Sequence, residues 1–258
     1  MTSPPLTRTL SLRPGETPAS YVSRLAAHHG TLPRDFCSDF GMHWPFLCSG
    51  RDDQLQQLSR LTGAALPQLQ FWSPVKLKNG RYRVGGTIAS VGVFRRTAIR
   101  LCPICICEAL DAAGSSEPFQ LLEWCVTCLN RCEAHGVALS RLPPATNSHE
   151  AYDLVAQVSR NKRKVYIAAQ RAEPLPESPF ETYVRQRIHH GAHEDWLHCL
   201  ELAHLHRACL TLGLTLAGPS KTRLTDIDSI GERHACDTGF AVLAQGPEAL
   251  TGALDRLR

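Results

Sequence analysis

Residues 100–107 read RLCPICIC and residues 124–139 read WCVTCLNRCEAHGVAL. Between them they hold six of the eleven cysteines, Cys102, Cys105, Cys107, Cys125, Cys128 and Cys132, within 31 residues. Thiols crowded in this way favour a metal site over a disulfide framework, because zinc takes thiolates at close spacing and intracellular thiols stay reduced. Cys102-Pro-Ile-Cys105 forms a knuckle: two sulfurs three residues apart on a tight turn can face one ion, and Pro103 stiffens the turn. Two partners for it lie downstream. Cys125-Val-Thr-Cys128 completes a four-cysteine spacing with 19 intervening residues, and Cys132-Glu-Ala-His135 follows after 26, ahead of Gly136. Both suit tetrahedral zinc, and spacing alone does not choose between them. Either way the region reads as a small zinc ribbon with short β-hairpins, and loss of metal should unfold it.

Around this stretch the 258 residues have ordinary globular composition, 43% hydrophobic and 20% charged, which excludes disorder as the main state. The longest apolar stretch, residues 208–218, contains two threonines and falls well short of the roughly 18 residues a membrane span needs. The opening MTSPPLTRTLSL has two prolines and no continuous apolar block, unlike a secretory signal. The expected location is cytoplasmic. The remaining cysteines, such as Cys199 and Cys209, read as small core thiols.

Upstream, Thr17-Pro18 starts a helix ending at Gly30; Pro33 starts a second that stacks Phe36 on Phe40 before Gly41. Asp53 with Gln56 looks like the capping box of a third, carrying Leu55, Leu58 and Leu61 to Gly63, and Pro67 opens a fourth with Leu69 and Trp72. Four short helices joined by Gly or Pro turns suggest a helix-turn-helix-like module over residues 1–74. At Val75 the period changes to two, and Asn79-Gly80 marks a hairpin between Val75-Leu77 and Tyr82-Val84. With the ribbon this makes a second unit, residues 75–142. Residues 143–258 read as a C-terminal helical domain, and the whole chain as mainly α. There Ser148 is the expected cap of a helix bearing Tyr152, Val155 and Val158. Ser178 and Glu181 form a capping box for one bearing Phe180, Val184 and Ile188. A long helix is expected over residues 194–212, ended by Gly213. A last one opens at Pro247 and buries Leu250, Leu254 and Leu257.

The net charge is only +4, but it is concentrated. Residues 75–100 carry Lys76, Lys78, Arg81, Arg83, Arg95, Arg96 and Arg100 without one acid, and Arg160, Lys162, Arg163 and Lys164 form a second cluster. All of these except Arg100 are candidate contacts to a polyphosphate or an acidic protein surface, so DNA or RNA is a candidate partner. Catalytic readings fail. No His has Glu two residues later, as a zinc deaminase requires, and Pro103 follows Cys102 instead of preceding it. His193 and His198 are five apart, so on one helix they diverge by about 140° and cannot share an ion. No Walker loop, dinucleotide fingerprint or G-x-S-x-G elbow is present.

Three stretches together resemble the TniQ transposition proteins. The segment Pro14-Gly15-Glu16-Thr17-Pro18-Ala19-Ser20-Tyr21 is similar to that family's opening. The run Arg100-Leu101-Cys102-Pro103-Ile104-Cys105, then Trp124, then Cys132-Glu133-Ala134-His135-Gly136 through Leu139 is similar to its zinc ribbon. The resemblance covers residues 10–142, and its implications are specific. The zinc ligands would be Cys102, Cys105, Cys132 and His135. The chain would be a non-enzymatic adaptor for target-site selection in Tn7-like and Tn5053-like transposons. Its partners would be an AAA+ transposition ATPase and a target-binding protein or, in CRISPR-associated transposons, a guide-RNA effector on which it docks as a homodimer. The alternative is a free-standing zinc-ribbon and helix-turn-helix transcription regulator with its own DNA affinity; a metalloenzyme would instead need an open coordination position on the zinc.

Overall fold

A computed structural model describes residues 5–112, 117–145, 150–191, 195–217 and 227–255. The fold is mainly α, with twelve helices and five short strands among those residues. The first helix, α1 (Pro18–His28), starts where its chemistry dictates: Thr17 Oγ1 accepts the Ser20 N–H at 3.2 Å and Pro18 occupies the first turn. It is followed by α2 (Pro33–Asp39), α3 (Trp44–Cys48), α4 (Asp52–Thr62) and α5 (Leu66–Phe71). Their apolar faces meet in one core of Tyr21, Val22, Leu25, Phe36, Leu47, Leu55, Leu58, Leu61 and Leu69. Two local expectations are corrected. α3 is additional to the four helices the sequence suggested; five residues are too few to show a period. The Asp53–Gln56 capping box does not form, because the Asp53 carboxylate accepts from the Arg51 guanidinium and the Gln54 amide while Gln56 donates to Asp52.

The hairpin forms as expected. β1 (Val75–Lys76) and β2 (Arg81–Val84) pair antiparallel with Val75 opposite Arg83, and the turn places Asn79 and Gly80 at φ of 58° and 69°. The sequence had shown no third strand, β3 (Thr87–Ser90), which pairs with β2. At the β2–β3 turn a Cβ on Gly85 would lie 2.3 Å from the Ile188 carbonyl oxygen, and Gly86 donates its N–H to that oxygen at 2.8 Å. The sheet is thus seated on α9 (Pro179–His190). Val84, Ala89 and Phe94 share a second core with Phe180, Val184 and Ile188 of α9 and with the three helices after it.

Those helices are α10 (Leu202–Ala217), α11 (Ser229–Leu243) and α12 (Pro247–Asp255). The single helix expected over residues 194–212 is instead a 3-10 turn (Trp196–Cys199), capped by the Asp195 carboxylate on the His198 N–H, followed by α10. Glu194 lies outside the described residues. Gly213 does not end α10. Its missing side chain is what lets α11 approach: a Cβ there would lie 1.8 Å from the Ala235 carbonyl oxygen, and one on Gly239 would lie 1.9 Å from that of Cys209. In α12 the buried position falls to Ala253. Leu254 is 47% exposed, Leu250 packs at the core's edge, and Leu257 lies outside the described residues.

A third core occupies the middle of the chain. β4 (Arg100–Leu101) pairs with β5 (Ser140–Arg141), and Ile106, Phe119, Trp124, Val137, Leu154, Val158 and Val165 fill the space around them. α6 (Pro103–Asp111), the 3-10 turn Leu122–Cys125, α7 (Leu154–Arg160) and α8 (Lys162–Gln170) build it. α7 is capped by Asp153, whose Oδ1 accepts the Ala156 N–H at 3.2 Å and the Ser23 hydroxyl at 2.7 Å. Ser148, the expected cap, lies outside the described residues. The buried face of α7 is Leu154, Gln157 and Val158; Tyr152 and Val155 are half-buried.

Candidate metal centre

The first knuckle is the N-terminal turn of α6, not a free hairpin. Cys102 is the N-cap, Pro103 takes the first position, and Cys105 follows within the same turn. The second knuckle is a closed loop: Gly136 N–H donates to Cys132 O at 2.9 Å and Cys132 N–H to Val137 O at 2.8 Å. Gly136 sits at φ 65°, in the left-handed region open to glycine, which turns the chain back after His135.

These turns converge. Cys105 Sγ lies 3.7 Å from Cys132 Sγ, and His135 Nδ1 lies 3.6, 3.1 and 3.9 Å from the sulfurs of Cys102, Cys105 and Cys132. All four donors fall within 4.8 Å of one another. Zinc–sulfur bonds of about 2.3 Å and zinc–nitrogen bonds of about 2.0 Å in a tetrahedron need donor separations of about 3.5–3.8 Å. The four donors can therefore hold one metal ion, and three sulfurs with one imidazole suit zinc. The sulfurs are buried, while the His135 side chain keeps 19% exposure. Hydrogen bonds with Cys102 and Cys105 hold the Cys132 thiol far below its ordinary value, while hydrogen bonds with Cys102 and Cys132, together with burial, push Cys105 far above it. Three sulfurs this close share protons; a divalent cation would take the place of those protons. Burial works against a charged His135, but hydrogen bonds to Cys132 and Glu108 outweigh it and raise the imidazole.

Cys125 and Cys128 point elsewhere. Both lie in the core shared with α9 to α11, where burial pushes their thiols up to about 12. Cys107, half-buried on α6, also stands outside the cluster.

The basic candidates divide by environment. Lys76, Lys78 and Arg81 are exposed on the hairpin with Arg83 half-buried beside them, and no hydrogen bond or ion pair engages their side chains among the described residues. Arg95 is exposed, whereas Arg96 is built into the structure: it donates to the Cys48 carbonyl and stacks over Tyr82 and Tyr152 at 5.4 and 5.2 Å. Arg160 pairs with Glu150 at 2.5 Å, Lys162 lies 5.8 Å above the Tyr166 ring, and Arg163 and Lys164 are exposed.

The opening segment turns out to be a joint. Glu16 is fully buried and accepts from Arg24 at 2.6 Å, the Ser20 hydroxyl at 2.8 Å and the Arg13 N–H at 3.1 Å. Gly15, at φ 77°, offers its carbonyl to Leu122 N–H at 2.8 Å, and Thr17 N–H donates to Gln120 O at 3.1 Å. Residues 14–21 therefore tie α1 to the chain just ahead of Trp124. Sequence reasoning missed this pairing and also missed Glu108, which lies against His135. Glu108 had a signal, three residues beyond Cys105, legible only once α6 is known to be a helix.

A helical module joined to a Cys3His cluster by its opening segment defines a mainly α protein with a candidate structural metal centre. The family model described as TniQ matches residues 7–139, which include both parts, and the chain belongs to the TniQ family. Its role is accordingly associated with transposition. No match to a curated protein was found.

Proposed function

We propose that this chain is a non-enzymatic, cytoplasmic adaptor for transposon target-site selection, joining an RNA-guided or protein-guided target-recognition complex to an AAA+ transposition ATPase. The observation that carries the reading is the single family match through the N-terminal helices and the cluster. In this reading Cys102, Cys105, Cys132 and His135 bind one structural zinc. Four protein donors fill a tetrahedron, so the ion has no place for the water or substrate that a catalytic zinc must hold. The hairpin tip, with Lys76, Lys78 and Arg81 exposed and Arg83 half-buried beside them, is the surface offered to phosphate or to an acidic partner, with Arg95, Arg163 and Lys164 as further exposed cations. If the partner is duplex DNA, each phosphate contact removed there flattens the salt dependence of binding by about 0.9 in log–log slope.

The test is a titration of the purified protein into a reaction holding transposase, ATPase and target complex. An adaptor saturates product formation at a near-stoichiometric amount. Full activity at a small fraction of that amount, or hydrolase activity from this chain alone that disappears with its zinc, overturns the reading.

A further inference from the structure

One wall of the cluster is not a ligand. α6 carries Glu108 three residues beyond Cys105, so the two share a helix face. Glu108 Oε1 lies 3.0 Å from His135 Nε2, while the opposite ring nitrogen, Nδ1, is the one facing the three sulfurs. A neutral imidazole has one N–H and one lone pair, and the partner of one nitrogen decides the state of the other. An ionised carboxylate only accepts. Glu108 therefore keeps the proton on Nε2 and leaves the Nδ1 lone pair aimed at the point where the sulfurs converge. The cysteines need no such help, since each is buried on a backbone closed by hydrogen bonds. His135, with 19% of its side chain exposed, is the donor that packing fixes least.

We propose that Glu108 is a positioning residue for the metal centre, holding His135 in the Nε2–H tautomer and in the ring orientation that lets Nδ1 complete a tetrahedral zinc site. The inference rests on the zinc reading and goes one shell further out. Glu108 is 64% exposed, so replacing it removes little packing.

The experiment uses the full chain loaded with zinc, as wild type, Glu108→Ala, Glu108→Gln and Glu133→Gln. Glu133 is the control because it sits in the second knuckle with 67% exposure but faces Arg185 at 3.6 Å. Zinc affinity is measured by chelator competition, and nitrogen-15 shifts of the His135 ring report the tautomer. Glu108→Ala should weaken zinc about 10–100-fold, the range found when such outer carboxylates are removed. Glu108→Gln should fall between, because its carbonyl still accepts the Nε2 proton, and Glu133→Gln should match wild type. Wild-type affinity in Glu108→Ala overturns the assignment, as does an equal loss in Glu133→Gln or a ring protonated on Nδ1. A wild-type chain that takes up no zinc overturns the zinc reading instead, an outcome visible before any variant is compared.

Discussion

The region around Cys102, Cys105, Cys132 and His135 and the α10–α11 pair are both small assemblies with buried sulfur, yet they are held by opposite means. In the first, four polar donors sit where an apolar core would have side-chain contacts, with Ile106, Trp124 and Val137 packed around them. Such a centre is repulsive or proton-sharing until a cation joins it. In the second, side chains have been removed: Gly213 and Gly239 let the backbones touch, and Leu205, Cys209, Leu212, Cys236, Phe240 and Leu243 close over the contact. On the zinc reading, one assembly would depend on an added ion, whereas the other depends on missing atoms. Their failures should be separable.

The largest expected effect is metal removal. Chelation, or His135→Ala, should cost on the order of 3–5 kcal/mol, less than the 10 or more of an isolated zinc peptide because the apolar part of this core persists. Hydrogen exchange should rise sharply in α6 and in residues 132–139 while α10 and α11 stay protected. Loss of protection in α10 and α11 to the same degree would break the comparison.

Gly213→Ala attacks the other side. Alanine is favoured over glycine inside a helix by about 1 kcal/mol, so propensity predicts a gain. The Ala235 carbonyl oxygen at 1.8 Å from the added carbon predicts a loss, since it is helix backbone and cannot swing aside. The contact should win, with a net loss of about 2 kcal/mol in urea unfolding and unchanged zinc content. A gain in stability would show that the helices separate at little cost.

The two buried thiols beside the knuckles sharpen the boundary between the regions. Cys128→Ala should leave zinc stoichiometry unchanged and cost about 1 kcal/mol as a small cavity in the α9–α11 core. A variant that loses its zinc would mean that the all-cysteine ligand set holds in solution.

These contrasts also mark what the sequence could reveal. Local chemistry was legible: Thr17 and Ser178 cap their helices, Asn79-Gly80 turns the hairpin, and Phe180, Val184 and Ile188 face inward. Non-local uses of the same residue types were not. Gly213 looks like a helix end because glycine ends helices, yet its partner is a carbonyl on another helix. Glu181 looks like half of a capping box, but its carboxylate accepts from the N–H groups of Asn130 and Arg131 and from Arg233. α11 contains Gly231 and Gly239, which lower helix propensity, so packing on α10 and not local preference decides it. The ligand set itself lay between: both pairs had suitable spacing, and only the closure of residues 132–137 on α6 separates them in space.

The smallest effect lies between α10 and α11. Glu232 on α11 is 3.2 Å from His206 on α10, and that hydrogen bond, against partial burial, holds its carboxyl below the ordinary 4.5. A carboxyl depressed in the folded state adds stability above its unfolded value, and the gain is lost as pH falls through the lower folded value. Glu232 is 45% exposed, so solvent screening limits the contribution to less than about 1 kcal/mol. Acid would also strip a bound zinc, so wild type and Glu232→Gln should be compared after chelation, where any metal loss is common to both. Their difference in unfolding free energy should favour wild type near pH 7 and shrink toward zero as pH falls below the depressed folded value of Glu232. A difference that stays constant, or grows in acid, would assign the pair no role and leave the helix contact to glycine and apolar burial alone.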